Sequence, residues 1–297
     1  MSTKIGEEIK TKRLKKGLTQ AELAENICTQ ATISNLENKD RIPMMTILLK
    51  IADRLDIELD AVLEYTLDRE LGHNQVFKEV RELCSKALHE EAYELLKSGI
   101  EFDKLETIYE AKIYYYYMGI TSLMRNEALS DVIYYFNLVL NSESEKSLDF
   151  LDVSATNGIG IAYFMQNEND KALTYFERSL EQLDELFTLI DTINNSPEIT
   201  KIYYNSAKFY SAIGEYNKAV NLCNLGIALL KKEGLTYYLD VLVYEKAFNL
   251  MKLGKDQEYE RFYLHAMVMA DSSGNDSLMD TIKNDVKKYG IEAYNYY

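Results

Sequence analysis

The sequence predicts an all-α protein with a compact head of short helices followed by a longer array of paired helices. Three observations predict it. The 297 residues hold only 2 prolines and 13 glycines against 47% hydrophobic residues and 24 tyrosines, so long helices with aromatic packing have few breakers to interrupt them. Residues 18–38 carry apolar spacing and caps for two short helices joined by a tight turn. Beyond residue 70, small residues and turn residues recur at steps of 41, 47 and 40 positions.

In the head, basic residues Lys10, Lys12, Arg13, Lys15 and Lys16 crowd a first helix that Gly17 ends as a left-handed cap. Thr19 caps the next helix, with Glu22 three residues on as in a capping box; Leu23, Ala24 and Ile27 share its inner face. Thr29 caps the third helix, whose inner face is Ile33 and Leu36. Its outer face carries Gln30, Ala31, Thr32 and Asn35, small or amide-bearing side chains able to enter a major groove, where Gln and Asn suit adenine. The plain alternative is a surface helix rich in small polar residues. Lys39, Arg41 and Pro43 follow, then a helix with Ile47, Leu48, Ile51, Ala52 and Leu55 on one face, and a last short helix at 58–64.

The net charge is −15, which disfavours a polyanion as partner for the chain as a whole. The charge is partitioned, however. Residues 1–66 hold 10 basic and 11 acidic groups, the remainder 23 and 37, and seven of the ten head cations fall between Lys4 and Lys39. A local positive face on the head and an acidic remainder held away from DNA fit this division. Three distant cysteines, Cys28, Cys84 and Cys223, fit reduced thiols rather than a disulfide frame or zinc site. His73, His89 and His265 show no metal spacing, and no phosphate-cradling glycine loop or nucleophile turn is present, so no metal, cofactor or enzymatic activity is expected. No apolar run reaches membrane-spanning length and the first ten residues lack a signal-peptide centre, so a cytoplasmic location is expected.

From residue 70 onward, amphipathic helices are expected near 74–86, 90–99, 104–125, 128–141, 147–166, 169–186, 198–213, 216–231, 235–253, 257–271 and 275–288. Gly160, Tyr163, Asn167, Lys171 and Ala172 align with Ala207, Tyr210, Gly214, Lys218 and Ala219; Gly119 begins the series, and Ala247, Leu250 and Gly254 extend it. A small residue in each first helix allows close approach, and a Gly or Asn marks the turn. The run Tyr114–Tyr117 cannot form one strip, because successive helical residues point about 100° apart; two rings are expected in the core, one toward a neighbouring pair and one toward the groove.

Five short helices in some 65 residues, with Thr19-Gln20, Glu22-Leu23-Ala24, Ile33 and Leu36-Glu37-Asn38 in place, resemble the Cro/repressor-type helix-turn-helix domain. The resemblance implies Gln20 at a phosphate, Thr29, Gln30, Ala31 and Asn35 facing bases with Thr32 at their edge, and Lys12, Lys39 and Arg41 near backbone phosphates. It offers Arg13 an internal salt bridge to Glu37, with phosphate contact as a second role. The rest resembles lengthened tetratricopeptide repeats: about five helix pairs and a capping helix in a right-handed superhelix with a concave inner face. The expected boundaries are 1–66 for the DNA-binding head, 67–75 for a linker with its break at Gly72, and 76–297 for the repeats.

The two parts together resemble the peptide-responsive transcription regulators of Gram-positive bacteria that include Rgg, NprR, PlcR and PrgX. That resemblance implies a homodimer on an inverted-repeat operator, controlled by a short signalling peptide in quorum sensing. It implies peptide-backbone contacts from Asn157 and Asn205, polar contacts from Tyr244 and Glu245, and a basic contact for which Lys86 stands in, displaced from the group's usual position. Two alternatives stay open: a DNA-tethered repeat scaffold that binds a protein, and a ligand-independent dimeric repressor.

Overall fold

In the computed structural model the described residues are 5–39, 43, 45–57, 73–105, 107–142, 148–189, 196–254 and 258–291, and all regular structure among them is helical. The head contributes α1 (Ile5–Lys15), α2 (Gln20–Ala24), α3 (Gln30–Lys39) and α4 (Met45–Arg54). The repeats contribute α5 (His73–Ser85), α6 (His89–Gly99), α7 (Ile108–Met124), α8 (Leu129–Leu140), α9 (Phe150–Met165), α10 (Asn169–Leu189), α11 (Ser196–Ala212), α12 (Tyr216–Glu233), α13 (Leu239–Lys252), α14 (Glu258–Ser273) and α15 (Asp276–Tyr289). The short helix expected at 58–64 and the expected break at Gly72 lie outside the described residues. Helix α5 starts at His73, within the span expected to link head and repeats.

The head closes on one core in which Ile9, Leu23, Ile33, Leu36, Leu48 and Ile51 are fully buried. Its caps form as the residues dictate. Gly17 takes φ +69°, Thr19 and Glu22 exchange both capping-box bonds, and Thr29 Oγ1 accepts from the backbone of Thr32 at 3.2 Å.

Five helical hairpins follow, closed by α15. Each hairpin turns through a left-handed residue two positions past its first helix: Ala87, Asn126, Asn167, Gly214 and Gly254. At four of them the next backbone N–H reaches back five residues, as in Glu168 N to Tyr163 O at 3.0 Å and Glu215 N to Tyr210 O at 2.8 Å, so the orphan carbonyls of the helix end are satisfied. The aligned repeat positions also make equal contacts: Lys171 lies 5.1 Å over the Tyr163 ring, and Lys218 lies 5.0 Å over Tyr210.

The described chain divides into two compact units, residues 1–158 with 182–194, and residues 159–181 with 195–297. In the first, Gly119 of α7 and Gly158 of α9 both face the buried ring of Phe136 on α8. A Cβ on either would fall within 2.7 Å and 2.5 Å of that ring respectively, so only glycine permits this approach. Lys112 of α7, 1% exposed, bonds Asp149 and Asp152 at 2.7 Å each. Asp149 in turn accepts the N–H groups of Leu151 and Asp152, so one buried cation fastens the start of α9 to α7. Of the four consecutive tyrosines, Tyr117 is buried and Tyr114, Tyr115 and Tyr116 are half-buried, with Tyr114 and Tyr116 packed against the same core as Tyr117. In the second unit Phe176 stacks on Phe209 at 4.7 Å, Gly160 faces Phe176, and Gly226 faces Leu242.

Most boundaries shift by one to three residues, and two helix starts differ from expectation by four. The helix expected from 104 begins at Ile108, because Thr107 and Glu110 form a capping box and a 3₁₀ turn occupies Phe102–Lys104. The helix expected from 235 begins at Leu239, after Tyr238 takes a left-handed conformation at φ +60°.

Candidate nucleic-acid interface and ligand-facing residues

The outer start of α3 is tied to the head's core by an unbroken series of hydrogen bonds. Arg13 Nε and Nη2 donate to the two Glu37 oxygens at 2.5 and 2.9 Å, and Nη1 donates to the Leu18 carbonyl at 2.6 Å. Glu37 Oε2 also accepts from Gln20 Nε2 at 2.8 Å, and Gln20 Oε1 accepts from Gln30 Nε2 at 2.8 Å. Since an ionised carboxylate only accepts, Glu37 fixes which way the Gln20 amide points, and Gln20 fixes Gln30. Gln30 keeps its carbonyl oxygen and one N–H for an outside partner, the pair an adenine edge requires. Burial alone would raise the Glu37 carboxyl. The bonds from Arg13 and Gln20 and the Arg13 charge outweigh it and hold the pKa below the ordinary value.

Around Gln30, Thr29 and Ala31 are exposed, Thr32 and Asn35 half-buried, and the Thr29 and Thr32 hydroxyls lie 2.9 Å apart. Lys12 is half-buried on α1 and Lys39 closes α3, whereas Arg41 lies outside the described residues. Arg13 makes the internal salt bridge to Glu37 offered as its first role: it is buried and directs three N–H groups into the protein, which leaves its second role, phosphate contact, without a free donor face. The placement of Gln20 differs from expectation. Gln20 engages both ends of its amide and retains one N–H. Sequence reasoning also missed Arg54, which donates to the carbonyls of Glu22, Leu23 and Glu25 and so caps the end of α2 from 29 to 32 positions away.

The repeat residues are placed unevenly. Asn205 is half-buried on α11 in the second unit. Asn157, in the first unit, is 2% exposed, unlike Asn205. Tyr244 donates its hydroxyl to Asp285 at 2.8 Å. Glu245 is 6% exposed and accepts from Asn249 at 2.9 Å; burial raises its pKa, opposed by bonds from Asn249 and Ser211 and the charge of Lys208. The polar contacts expected of Tyr244 and Glu245 are thus made within the protein. Helix periodicity could not show this, because Asp285 lies 41 positions from Tyr244. Lys86 is exposed in the turn after α5. Among the described residues no group of three His, Cys, Asp or Glu could hold a metal ion, and no helix is long and apolar enough to cross a membrane.

The helix-turn-helix family model matches residues 9–62. The chain carries a helix-turn-helix DNA-binding domain. Beyond it the likeness is structural. PlcR of Bacillus thuringiensis in complex with the peptide PapR7 and DNA superposes with a TM-score of 0.64 at 22% identity, covering 95% of this chain and 99% of PlcR. The apo form of PlcR gives 0.62 at 21%, covering 96% and 100%. ComR from S. thermophilus, in complex with DNA and its signalling peptide ComS, gives 0.54 at 16%, covering 96% and 99%. No curated protein sequence matches the chain. At these identities the likeness establishes the fold: a helix-turn-helix head and helical repeats in the order and length of PlcR.

Proposed function

We propose that this protein is a cytoplasmic transcription regulator of the Rgg, NprR, PlcR and PrgX group from a Gram-positive bacterium. Its head, residues 1–66, reads an inverted-repeat operator as half of a homodimer. Its repeats bind a short signalling peptide that shifts the dimer between arrangements of different DNA affinity. The observation that carries this reading is the presence in one chain of an exposed Gln30 amide held through Gln20 by Glu37 and of five hairpins plus a capping helix, in the layout of a protein solved with both a peptide and DNA. Gln30, Asn35, Thr29, Ala31 and Thr32 are the base-side residues of this reading, with Lys12, Lys39, Arg41 and the remaining N–H of Gln20 toward phosphates. On the repeats Asn205 is the backbone-binding amide, because an amide donates and accepts at once and needs no particular ligand side chain.

The test is selection of duplexes from a random pool by the full-length protein. The reading expects enriched sites with two half-sites in inverted order, their centres about 34–36 Å or a multiple of it apart. Retention of random duplexes without enrichment overturns sequence reading by the head. Enrichment of a single unrepeated half-site overturns the dimer.

A further inference from the structure

In the second unit three helices bring basic side chains to one place. Lys246 of α13 sets its Nζ 4.0 Å from the centre of the Phe262 ring on α14, and that ring meets the His265 ring edge-on at 6.1 Å. Arg261, His265 and Val268 follow one another on α14 at spacings of four and three, so they share a face beside Phe262. Lys231, in the last turn of α12, is a charged neighbour of both Lys246 and His265. Helices α12 and α14 both pack against α13, and Lys246 stands between them.

Lysine over a ring is ordinary in this chain, as Lys171 over Tyr163 shows. What sets this place apart is that cations face cations. Burial holds Lys246 below its ordinary pKa; Glu258 opposes the shift, and Lys231 and Arg261 deepen it. Burial also lowers His265, and Arg261 and Lys231 lower it further. Lys171 is the opposite case, raised by its bond to Glu168. Among the described residues none of Lys231, Lys246, Arg261 and His265 has a carboxylate within ion-pair distance. The dipole at the end of α12 accounts for Lys231, but not for three more basic groups gathered beside it from two other helices. Free solvation would suit a fully exposed set, whereas Lys246 and His265 are half-buried. In a chain of net charge −15, such a cluster is complementary to an anion from outside. Val268, 44% exposed, continues the Arg261–His265 face as an apolar side chain. A small anion would leave it uncovered; an amphipathic acidic segment would cover it.

We propose that the surface between α12 and α14 docks an acidic amphipathic helix of a partner protein, its carboxylates against Lys231, Lys246 and Arg261 and its apolar side chains against Val268. Carboxylates four residues apart on such a helix match the spacing of Arg261 and His265. The acidic remainder of the repeats repels the same helix elsewhere, so like charge excludes wrong placements while this cluster attracts. The proposal is independent of the signalling-peptide reading, whose amide, Asn205, lies on α11.

The probe is a fluorescent amphipathic peptide of Glu, Ala and Leu at helical spacing, with a counterpart carrying Lys in place of Glu, each titrated against the full-length protein by anisotropy. The acidic probe is expected to bind and the lysine counterpart to bind far less. In the triple variant Lys231→Gln, Lys246→Gln, Arg261→Gln, checked for unchanged helicity, the Kd of the acidic probe is expected to rise about three- to a hundredfold. The charge-reversed variant Lys231→Glu, Arg261→Glu is expected to take up the lysine counterpart instead. His265 reports the place: its ring signal, assigned by its loss in His265→Gln, should move on adding the acidic probe and titrate at higher pH, while those of His73 and His89 stay. Failure of the acidic probe to bind, or equal binding of its lysine counterpart, overturns the proposal. An unchanged Kd in the triple variant, or an unmoved His265 signal, overturns the assignment to this surface. Displacement of the probe by inorganic pyrophosphate at equal concentration shows that a small anion suffices and overturns helix docking.

Discussion

Arg13→Ala removes the partner of a carboxylate whose side chain has no exposed surface. Glu37 then keeps only the Gln20 bond and loses two charge-assisted bonds, while the Leu18 carbonyl loses its donor. Breaking a buried ion pair by deleting one member costs about 3–5 kcal/mol, because the remaining charge stays buried. At about 1.36 kcal/mol per factor of ten, backbone amides in α1 and α3 should exchange with deuterium from a hundred- to a few thousand-fold faster. The loss depends on pH. In wild type Glu37 has a lowered pKa, so the pair's stabilisation is complete above the ordinary carboxyl range and disappears as pH falls through that lowered value. In the variant burial dominates and raises the pKa, so protonation relieves the unpaired charge. The difference between the two proteins should therefore shrink from pH 7 to pH 4. Exchange mass spectrometry on peptides covering residues 9–38 reads both effects. Less than tenfold acceleration at pH 7, or a difference that grows toward acid, refutes the role given to this pair.

Other perturbations test separate links. Gln30→Ala and Asn35→Ala should each relax base preference by about 1–3 kcal/mol in duplex competition, whereas Lys12→Ala should weaken all sequences alike and flatten the salt dependence; equal loss on every duplex for Gln30→Ala would remove its reading role. Gly158→Ala should lower stability by about 1–3 kcal/mol in urea unfolding, since its new carbon would meet Phe136, and Phe136→Leu should recover part of the loss. Asp152, raised to about 6 by burial and then by Asp149, binds a proton in the folded unit at pH values where the unfolded chain has released it. Its contribution to stability therefore decreases as pH rises from about 4 to 6, and Asp152→Asn should flatten that slope in pH-dependent unfolding. Asn205→Ala should abolish the response to peptide and leave operator binding unchanged in anisotropy titrations; an intact response would remove Asn205 from the site.

Local features were legible because they are written within one helical turn or one repeat. The Thr19–Glu22 box, the Gly17 cap and the Asn167, Gly214 and Gly254 turns follow from neighbouring residue types. The same turn at Ala87 was hidden, since alanine does not advertise a left-handed conformation. The start of α7 was overrun because the apolar run around it masks the Thr107–Glu110 cap. What escaped most fully was pairing across distance. Lys112 reads as a surface lysine until Asp149 and Asp152, 37 and 40 positions on, close around it. Arg54 reads as the polar end of α4 until it caps α2. The Arg13–Glu37 alternative was reachable through family resemblance, but the continuation through Gln20 to Gln30 appears only in three dimensions.

The measurement that bears most directly on ligand control is the Kd of the full-length protein for its selected operator, taken by fluorescence anisotropy with and without a saturating peptide recovered from spent culture medium. Coupling between the repeats and the head predicts a Kd altered by about 5- to 150-fold. An unchanged Kd, with the peptide shown to be bound under the same conditions, would contradict it.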